Sequence, residues 1–362
     1  MKIAIIGAGP AGNHAAYLLA KKGHSVSVYE KNSVIGKPVQ CTGILSDYFL
    51  NLMKPSKKFV QNIVTKTRIY APNGNYIEAK IKKNYVICRK KFDNYLADLA
   101  KKQGVKYYLG YCFKSYKKTG NRLQIKLTNK GKQILSNVDI LIGADGPNSQ
   151  VAKVAGLFEN RNFVIGTQVE VHAKNDNVVE FYPYIGSYAW VVPVTKNSIR
   201  IGVAAYKKSP KLSKNFLEKK LGKKHKIIEN QSGIIPIFNP KVRAQKDNLY
   251  LIGDAATFNK ATSGGGINQG LKSAEILAES INKNYQREWK KKLYRNLYMH
   301  LILHKMMSKF SDEDWNYLIK IFSQRKMRSI LYRESRDNIV KMIIKIAITE
   351  PRLFKYMKYV SL

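Results

Sequence analysis

Cysteine is scarce in this chain. Among 362 residues only Cys41, Cys88 and Cys112 occur. Three scattered cysteines argue against a disulfide framework and against a cysteine-based metal cluster, so the sequence predicts no metal site. A reducing compartment, the cytoplasm, is therefore expected.

Acidic residues are also few. The chain has 24 Asp and Glu against 64 Lys and Arg, which gives a formal net charge of +40. Such a surface binds nucleic acid or anionic lipid, where each basic residue near the membrane adds about 1 kcal/mol. A lysine bias of the whole proteome is a third explanation. The lysines are spread along the chain, which argues against a dedicated nucleic-acid tail; lipid binding and compositional bias stay open.

Long apolar runs are absent. No run approaches the roughly 18 apolar residues that span a bilayer, and Lys21-Lys22 interrupt the apolar start of the chain. No cleavage pattern of a signal peptide follows Met1. The protein is therefore expected in the cytoplasm, either soluble or peripheral on the inner face of the cell membrane.

The first thirty residues carry the clearest motif. The apolar run Lys2–Ile6 leads into a G-x-G-x-x-G pattern at residues 7–12, and a helical pattern follows to Lys22. A second strand pattern, 25–29, ends on Glu30. Strand, glycine turn, helix and acid in this order predict a dinucleotide site.

Each residue type in this motif has a task. Gly7 permits the tight turn, Gly9 lets the backbone approach a pyrophosphate, and Gly12 lets the helix lie close to the sheet. The helix N-terminus offers N–H groups and partial positive charge to the phosphates. Glu30 can accept hydrogen bonds from ribose hydroxyls.

Two later segments repeat the pattern of a strand that ends on glycine and aspartate. The run 138–142 leads into Gly143-Ala144-Asp145-Gly146, where Asp145 can hold ribose or pyrophosphate-linked water. The run 249–252 leads into Gly253-Asp254, and Asp254 can bind a ribitol hydroxyl. The glycine turn that includes Gly265, Gly266 and Ile267 opens a helix to about Ser280, whose N-terminus can stabilise a reduced flavin ring.

The rest of the chain divides into strand-rich and helical stretches. Alternation predicts strands within 63–88, 105–113, 123–127 and 163–206, and the period of 3.6 predicts helices over 92–102 and 211–221. We expect an FAD-binding domain from 1–62, 85–160 and 245–282, a β-rich substrate domain from 63–84 and 161–244, and a helical C-terminal region over 283–362. Ser311-Asp312-Glu313-Asp314 predicts a helix start. The apolar stretch Ile339–Ile348 is either a membrane-facing surface or a helix packed on the body.

Two segments outside the glycine motifs contain unusual residues. Cys41 lies between Pro38 and Gly43 in a predicted loop, where it is either chemically active or a small packing residue. Tyr188 and Trp190 share one face of a predicted strand because strand side chains alternate. They are either core aromatics or an apolar wall of a substrate pocket.

Together these features resemble a known flavoprotein family. The three glycine elements, in this order, are similar to those of the group that includes aromatic hydroxylases. Pro38-Val39-Gln40-Cys41-x-Gly43 and Tyr188-x-Trp190-x-x-Pro193 resemble the geranylgeranyl reductase family, specifically the archaeal digeranylgeranylglycerophospholipid reductases. The resemblance covers nearly the whole chain.

The resemblance implies an α/β (α+β) fold in which a Rossmann-type FAD domain carries an inserted antiparallel sheet, followed by a helical C-terminal region. It implies FAD-dependent reduction of C=C bonds in the prenyl chains of an archaeal membrane glycerophospholipid, with NAD(P)H or reduced ferredoxin as electron donor. The implied catalytic residue is Cys41, as proton donor or positioner. The implied substrate-lining residues are Tyr188, Trp190 and Pro193. The expected cofactor-binding residues are Gly7, Gly9, Ala11, Gly12, Glu30, Cys41, Thr42, Gly43, Arg89, Cys112, Asp145, Gly146, Asp254, Gly265, Gly266 and Ile267.

Two other functions remain open at this stage. One is an FAD-dependent monooxygenase, or another flavoprotein reductase, on the same fold. The other is a basic lipid- or nucleic-acid-binding protein with a vestigial flavin site.

Overall fold

The computed structural model describes residues 1–281 and 283–360. The chain forms two compact units, each built from three segments. The first contains residues 1–38, 89–162 and 236–297, and the second contains 39–88, 163–235 and the described residues from 298 onward. The domain boundaries predicted from the sequence remain a prediction; they assign 39–62 to the FAD-binding domain, whereas these residues belong to the second compact unit.

The strands are short and distributed along most of the chain. In chain order they are β1 (Lys2–Ile6), β2 (Ser25–Glu30), β3 (Ile44–Leu45), β4 (Val60–Tyr70), β5 (Tyr76–Ile87), β6 (Lys106–Leu109), β7 (Cys112–Thr119), β8 (Arg122–Asn129), β9 (Lys132–Val138), β10 (Ile140–Gly143), β11 (Phe163–His172), β12 (Val179–Tyr182), β13 (Tyr188–Thr195), β14 (Ser198–Ala205), β15 (Ile227–Pro236), β16 (Gln245–Lys246) and β17 (Leu249–Leu251).

The α-helices are concentrated after residue 266. In chain order they are α1 (Pro10–Lys21), α2 (Arg89–Lys101), α3 (Gln150–Val154), α4 (Ser209–Leu221), α5 (Ile267–Ser280), α6 (Tyr285–Trp289), α7 (Arg295–Met307), α8 (Asp312–Phe322), α9 (Arg325–Arg333) and α10 (Ile339–Thr349). Short 3-10 segments lie at Asp47–Asn51, Gly253–Ala256 and Pro351–Tyr359, and a π-helical turn at Lys290–Tyr294 joins α6 to α7.

The first unit contains a six-stranded sheet with the order β16-β17-β10-β1-β2-β6. The pairings from β17 to β6 are parallel, and the edge strand β16 is antiparallel to β17. Parallel neighbours need crossover connections: α1 connects β1 to β2, and the antiparallel sheet β7-β8-β9 lies in the connection from β6 to β10. Because β1, β10 and β17 are parallel neighbours, the motifs that follow them meet at one edge of the sheet.

Two predicted strands in this unit are wrong in their extent. The predicted strand 105–113 is two strands, because Gly110 turns the chain with φ +77° and its carbonyl accepts a hydrogen bond from Asn129. The predicted strand 138–142 is likewise divided, since β9 ends at Val138 and β10 begins at Ile140. Asp139 between them accepts hydrogen bonds from the Lys2 N–H and from Arg122.

The second unit contains an eight-stranded sheet with the order β15-β11-β14-β13-β12-β4-β5-β3. Helix α4 covers one face of it, where Phe216 and Leu217 pack against Val171, Ile201 and Val203. These strand residues alternate along β11 and β14, as expected for a sheet with one apolar core face. The opposite face therefore presents the even-numbered side chains of the same strands.

The C-terminal helices of the second unit follow the sequence signals. Ser311 caps α8 through a hydrogen bond from the Asp314 N–H, while the Asp314 carboxylate accepts from the Ser311 N–H. The predicted helix start is confirmed as a capping box. Helices α9 and α10 pack through Met327, Ile330 and Ile346.

The predicted fold class is confirmed: the chain is a mixed α/β protein with a parallel nucleotide-binding-type sheet, a large mainly antiparallel sheet and a helical C-terminal region. Among the described residues, no helix combines the length and apolar character needed to cross a membrane.

Candidate functional site

The glycine loop after β1 is packed so closely that two of its positions have no room for a side chain. A Cβ atom on Gly7 would overlap the Ala144 carbonyl, and one on Gly12 would overlap the Gly7 carbonyl. Gly7 also has φ +104°, a conformation that favours glycine. Gly9 differs, because a Cβ there would meet no described atom within 4 Å. Open space beside the start of α1 is what a bound pyrophosphate requires.

Glu30 is tied to this loop by its own carboxylate. Oε2 accepts the Ala8 N–H at 2.8 Å and Oε1 accepts the Asn32 N–H at 2.9 Å. The half-buried carboxylate is therefore held at the end of β2 in a fixed orientation. Close by, the Tyr111 N–H donates to the Glu30 carbonyl, which places Cys112, the first residue of β7, near the same strand end.

Asn13, on the first turns of α1, joins the glycine loop to α2. Its buried amide donates to the carbonyls of Ala8 and Asp93 and accepts a hydrogen bond from the Tyr107 hydroxyl at 2.9 Å. The sequence offered no signal for this role, because asparagine within a helical pattern is common. These three contacts hold α1 against the glycine loop, α2 and β6.

Arg89 begins α2 and forms a two-pronged ion pair with Asp93. Its Nε and Nη2 lie 3.1 and 3.0 Å from the two carboxylate oxygens. Burial nevertheless raises the pKa of Asp93 above its usual value, against the opposing charge of Arg89. Burial raises the pKa of Asp254, and the charge of Arg89 opposes this shift, so Arg89 acts on the third glycine element too.

Asp145 holds the start of α3. Its Oδ1 accepts from the Ser149 hydroxyl at 2.5 Å and its Oδ2 accepts from the Val151 N–H at 3.0 Å. The carboxylate thus already caps a helix, while Gly146 turns the chain with φ +79° and leaves open space at its Cβ position. The role of Asp145 toward a ribose or water stays a prediction.

Arg161 connects the second and third glycine elements. Its Nη1 donates to the Pro147 carbonyl at 3.3 Å and its Nη2 donates to the Ala255 carbonyl at 2.9 Å. The guanidinium also lies 4.3 Å from the centre of the Phe158 ring. Burial lowers the pKa of Arg161 to about 10, so it stays charged at neutral pH. It lies outside every motif, so no local sequence pattern predicts its role.

Asp254 lies in the 3-10 turn that follows β17, at the N-terminus of α5. A Cβ on Gly266 would lie 2.7 Å from its Oδ1, so the carboxylate would have to move to admit a side chain there. The turn is close to α1 as well, since a Cβ on Gly253 would lie 3.0 Å from the Ala11 Cβ. Burial raises the pKa of Asp254 to about 6, and Arg89 opposes this shift.

Asn259, in the loop between that turn and α5, is a buried polar side chain of this unit. It is 1% exposed, and within the described residues neither its amide nitrogen nor its amide oxygen has a hydrogen-bond partner. The preceding Phe258 anchors the loop against Trp289, with ring centres 4.8 Å apart. Buried amides normally have partners, so Asn259 indicates a missing ligand with both donor and acceptor atoms.

Gly265 and Ile267 complete this third element. Gly265 forms a bridge to Lys260, whose side chain would overlap any Cβ at that position. Ile267 is the half-buried first residue of α5. The first unit therefore contains thirteen of the expected cofactor-binding residues: Gly7, Gly9, Ala11, Gly12, Glu30, Arg89, Cys112, Asp145, Gly146, Asp254, Gly265, Gly266 and Ile267. Their contact with a cofactor stays a prediction.

The remaining expected residues belong to the second unit. Cys41 is half-buried, and its Sγ accepts the Gly43 N–H at 3.3 Å. Tyr188 and Trp190 lie on β13 with ring centres 5.8 Å apart, on the face opposite α4. Pro193 is out of phase with them by one residue, so it does not share their face of the strand.

Comparison with known proteins gives a family for this arrangement. Residues 1–296 match a family model described as FAD binding domain. A digeranylgeranylglycerophospholipid reductase of Methanocaldococcus jannaschii is 30% identical, and the match covers 98% of this chain and 97% of the relative. Another, from Methanococcus vannielii, is 31% identical over 78% of each chain.

The chain belongs to the digeranylgeranylglycerophospholipid reductase family. The resemblance inferred from the Cys41 and Trp190 segments is thereby confirmed.

Solved structures of the same fold include a geranylgeranyl bacteriochlorophyll reductase-like protein of Thermoplasma acidophilum. It has a TM-score of 0.87 and 23% identity, with 99% of each chain covered. The p-nitrophenol 4-monooxygenase of Pseudomonas putida has a TM-score of 0.66 and 14% identity, with 99% of this chain and 98% of that chain covered. Both likenesses show the fold of this reductase family member.

FAD is the cofactor that the matched family model names, and the first unit fits it. The open space at Gly9 suits a pyrophosphate, and the fixed Glu30 carboxylate suits a ribose. The orphaned Asn259 amide has the donor and acceptor that a flavin ring or ribityl chain would pair with.

The Asn259 amide provides one test of this fit. We expect Asn259→Leu to weaken FAD binding by roughly tenfold or more, since buried hydrogen-bond partners left unpaired cost about 1–3 kcal/mol. The same change should raise the melting temperature of the deflavinated protein, because two unsatisfied polar atoms are removed. Titration of FAD into deflavinated protein and thermal melts measure both effects. Asn248→Leu is the control, because the Asn248 amide already donates to the Asn121 carbonyl; equal FAD affinity in Asn259→Leu and the native protein would contradict the assignment.

The raised pKa of Asp254 predicts a stability difference that depends on pH. An unfolded aspartate ionises near pH 4, whereas Asp254 ionises near pH 6 in the folded protein. Its contribution to the free energy of unfolding therefore falls as pH rises from about 4 to about 6. Deflavinated Asp254→Asn should match the native melting temperature at pH 4 and exceed it at pH 7. A pH-independent offset in Asp254→Asn would refute the burial argument.

Proposed function

We propose that this chain is an FAD-dependent oxidoreductase that hydrogenates C=C bonds of geranylgeranyl chains in archaeal membrane glycerophospholipids. The observation that carries the proposal is the match of 98% of the chain to a digeranylgeranylglycerophospholipid reductase. The Cys41 and Trp190 segments of the second unit support it, because they are the segments that distinguish a prenyl reductase from other flavoproteins of this fold.

Bound FAD, once reduced, supplies a hydride for one alkene carbon, and a proton must reach the other. The glycine loop and the N-terminus of α1 bind the pyrophosphate, and Glu30 binds the adenosine ribose. Asp254 and Asn259 hold the ribitol and the flavin ring. Tyr188 and Trp190 supply an apolar wall that keeps water from the prenyl chain.

The electrons come from NAD(P)H or from reduced ferredoxin. The sequence has one G-x-G-x-x-G fingerprint, at residues 7–12, and the FAD of the proposed enzyme uses it. A nicotinamide nucleotide would therefore bind transiently at the same flavin. A reduced ferredoxin would instead meet the basic surface that the net charge of +40 provides.

The function is tested with the flavin-loaded protein. Reduced under anaerobic conditions, it should convert a digeranylgeranylglycerophospholipid to products heavier by two hydrogen atoms per reduced bond, as read by mass spectrometry. A hydroxylated product formed only with oxygen would instead indicate the monooxygenase chemistry of the neighbouring enzymes. Lipid recovered unchanged under both conditions contradicts the proposal.

Cys41 is the proposed source of the proton. A thiol can donate its proton as a general acid. We expect Cys41→Ala to slow alkene reduction by roughly 10²-fold, the usual effect of losing a general acid. Flavin reduction by the donor should be unchanged, since no proton from Cys41 enters that step. Stopped-flow measurement follows flavin reduction and alkene reduction separately. Cys41→Ser keeps a proton donor and should retain more activity than Cys41→Ala. A native rate of alkene reduction in Cys41→Ala would mean that Cys41 is only a packing residue.

We also infer that the protein works peripherally on the cytoplasmic face of the membrane through a C-terminal apolar patch. The patch consists of Ile344 and Ile348 on α10 and of Phe354 and Met357 on the following 3-10 segment, which are 49%, 75%, 57% and 58% exposed. Residues 325–360 include ten Lys and Arg and three Asp and Glu. The three acids, Glu334, Asp337 and Glu350, are all buried, so the surface around the patch is basic. An apolar patch in a basic surround fits anionic phospholipid.

Binding to vesicles tests the patch. The protein should sediment with phosphatidylglycerol-containing vesicles at 0.1 M salt and much less at 1 M, where the Debye length falls from about 10 Å to about 3 Å. Ile348→Asp with Phe354→Asp should reduce binding by roughly tenfold or more, since two apolar anchors are lost. Ile228→Asp is the matched control, because Ile228 is 47% exposed on β15. Equal binding to neutral and anionic vesicles would contradict the role of the basic residues. Native binding by the double variant would contradict the role of the apolar patch.

A further inference from the structure

The sheet face opposite α4 carries a set of polar side chains buried beneath the Cys41 loop. Along β11, β13 and β14 the odd-numbered residues pack into the core under α4, so the even-numbered Gln168, Trp190 and Arg200 lie on the other face. Gly202, opposite both Gln168 and Trp190 in the strand register, makes room for them, since a Cβ there would lie 2.7 Å from the Trp190 ring. This face is therefore shaped to hold polar groups under the loop.

Arg200 fastens the loop through its backbone. The side chain is buried, and its Nη1 donates to the carbonyls of Thr42 at 2.6 Å and Ile87 at 3.0 Å. Its Nε donates to Glu170 at 2.9 Å and its Nη2 to Gln61 at 3.0 Å. A buried arginine with one carboxylate partner and three neutral acceptors is fixed in position as well as paired in charge.

Gln168 fastens the same residue through its side chain. Its Oε1 accepts from the Thr42 hydroxyl at 2.8 Å and from the Trp190 indole N–H at 2.9 Å. Its Nε2 donates to Gln231, whose own amide donates to Glu229 at 2.6 Å. The carboxylate at the end of this chain can only accept, so the orientation of both amides is determined.

We propose that Gln168 and Arg200 are positioning residues that hold Thr42, and through it the thiol of Cys41, in place for proton delivery. The inference rests on the proposed function of Cys41. The loop has no regular secondary structure at residues 38–43. Gln168 and Arg200 therefore help to fix its geometry, together with the hydrogen bond from the Ile87 N–H to the Gly43 carbonyl. Proton transfer falls off steeply when the donor is misplaced.

The buried Tyr188 hydroxyl and the conformation of Gly43 are two further features of this face and its loop. The Tyr188 hydroxyl is buried and, among the described residues, has no hydrogen-bond partner. Burial raises the pKa of Tyr188, so the hydroxyl stays protonated at neutral pH and can donate a hydrogen bond. Gly43 has φ +70° and no room for a Cβ, which would lie 2.7 Å from the Ile87 carbonyl; the loop is therefore built for one conformation.

Thr42→Val and Thr42→Ser form a matched pair that tests the Gln168 anchor. Valine removes the hydroxyl and keeps the shape, whereas serine keeps the hydroxyl. In fully flavin-loaded protein, Thr42→Val should slow alkene reduction by roughly two- to tenfold, the range of one buried hydrogen bond, and Thr42→Ser should restore the rate. In the Cys41→Ala background Thr42→Val should have no further effect, because residues that act through one group are not additive.

Arg200→Lys tests the second anchor. Lysine keeps the charge but cannot form the planar fork that reaches two carbonyls and two side chains. We expect Arg200→Lys to slow alkene reduction more than Thr42→Val does. This loss should also disappear in the Cys41→Ala background. Additive losses in that background would show a merely structural role and overturn the inference.

Alkylation of Cys41 gives a readout that needs no lipid. Iodoacetamide labelling, followed by peptide mass spectrometry, compares Cys41 with the half-buried Cys88 of the same molecule. Thr42→Val should raise the Cys41 rate relative to Cys88 by roughly two- to tenfold as the loop loosens, and Thr42→Ser should leave it native. An unchanged ratio in Thr42→Val overturns the positioning role. Absence of lipid reduction in the native protein, together with a raised ratio, would overturn the proposed function instead.

Discussion

The first unit depends on the contact between the Gly7 carbonyl and Gly12. A side chain at either position would overlap backbone atoms, of Ala144 in one case and of Gly7 in the other. Only without those side chains can α1 start directly against the ends of β1 and β10. Ala11 then lies against Gly253 and Gly270, which places the start of α5 and Asp254 at the same edge of the sheet. One close backbone approach thus sets the positions of three separate motifs.

Polar side chains from outside the motifs hold this assembly in register. Asn13 joins the glycine loop to α2, and Arg161 spans the turns at Pro147 and Ala255. Burying a charged or amide group is favourable only when its partners are well placed. Within the described residues Asn259 is buried without such partners, and in the proposed site bound FAD would supply them. The second unit uses the same principle at Arg200, where a buried cation bonded to carbonyls fixes an irregular loop.

Local patterns in the sequence were sufficient to predict the motifs. They were insufficient to predict the side chains that hold the motifs in place. The glycine elements, Glu30 and the Ser311 cap could be predicted because turn, cap and strand chemistry act over a few residues. Asn13, Arg161, Gln168 and Arg200 could not, because their partners lie far along the chain, as with the 158 residues that separate Arg200 from Thr42. The strand predicted over 105–113 failed for a related reason: Gly110 permits a turn that apolar alternation does not reveal. Pro193 matches the family segment in sequence, yet the alternation of β13 removes it from the face of Trp190.

The central claim is that electrons stored on the flavin of this protein pass to a prenyl double bond. The most direct measurement is an anaerobic single turnover, in which the absorbance of the reduced flavin is followed after addition of a geranylgeranyl glycerophospholipid. The account predicts that the flavin becomes oxidised without oxygen, with one double bond saturated for each flavin oxidised. A flavin that stays reduced until oxygen is admitted would contradict it.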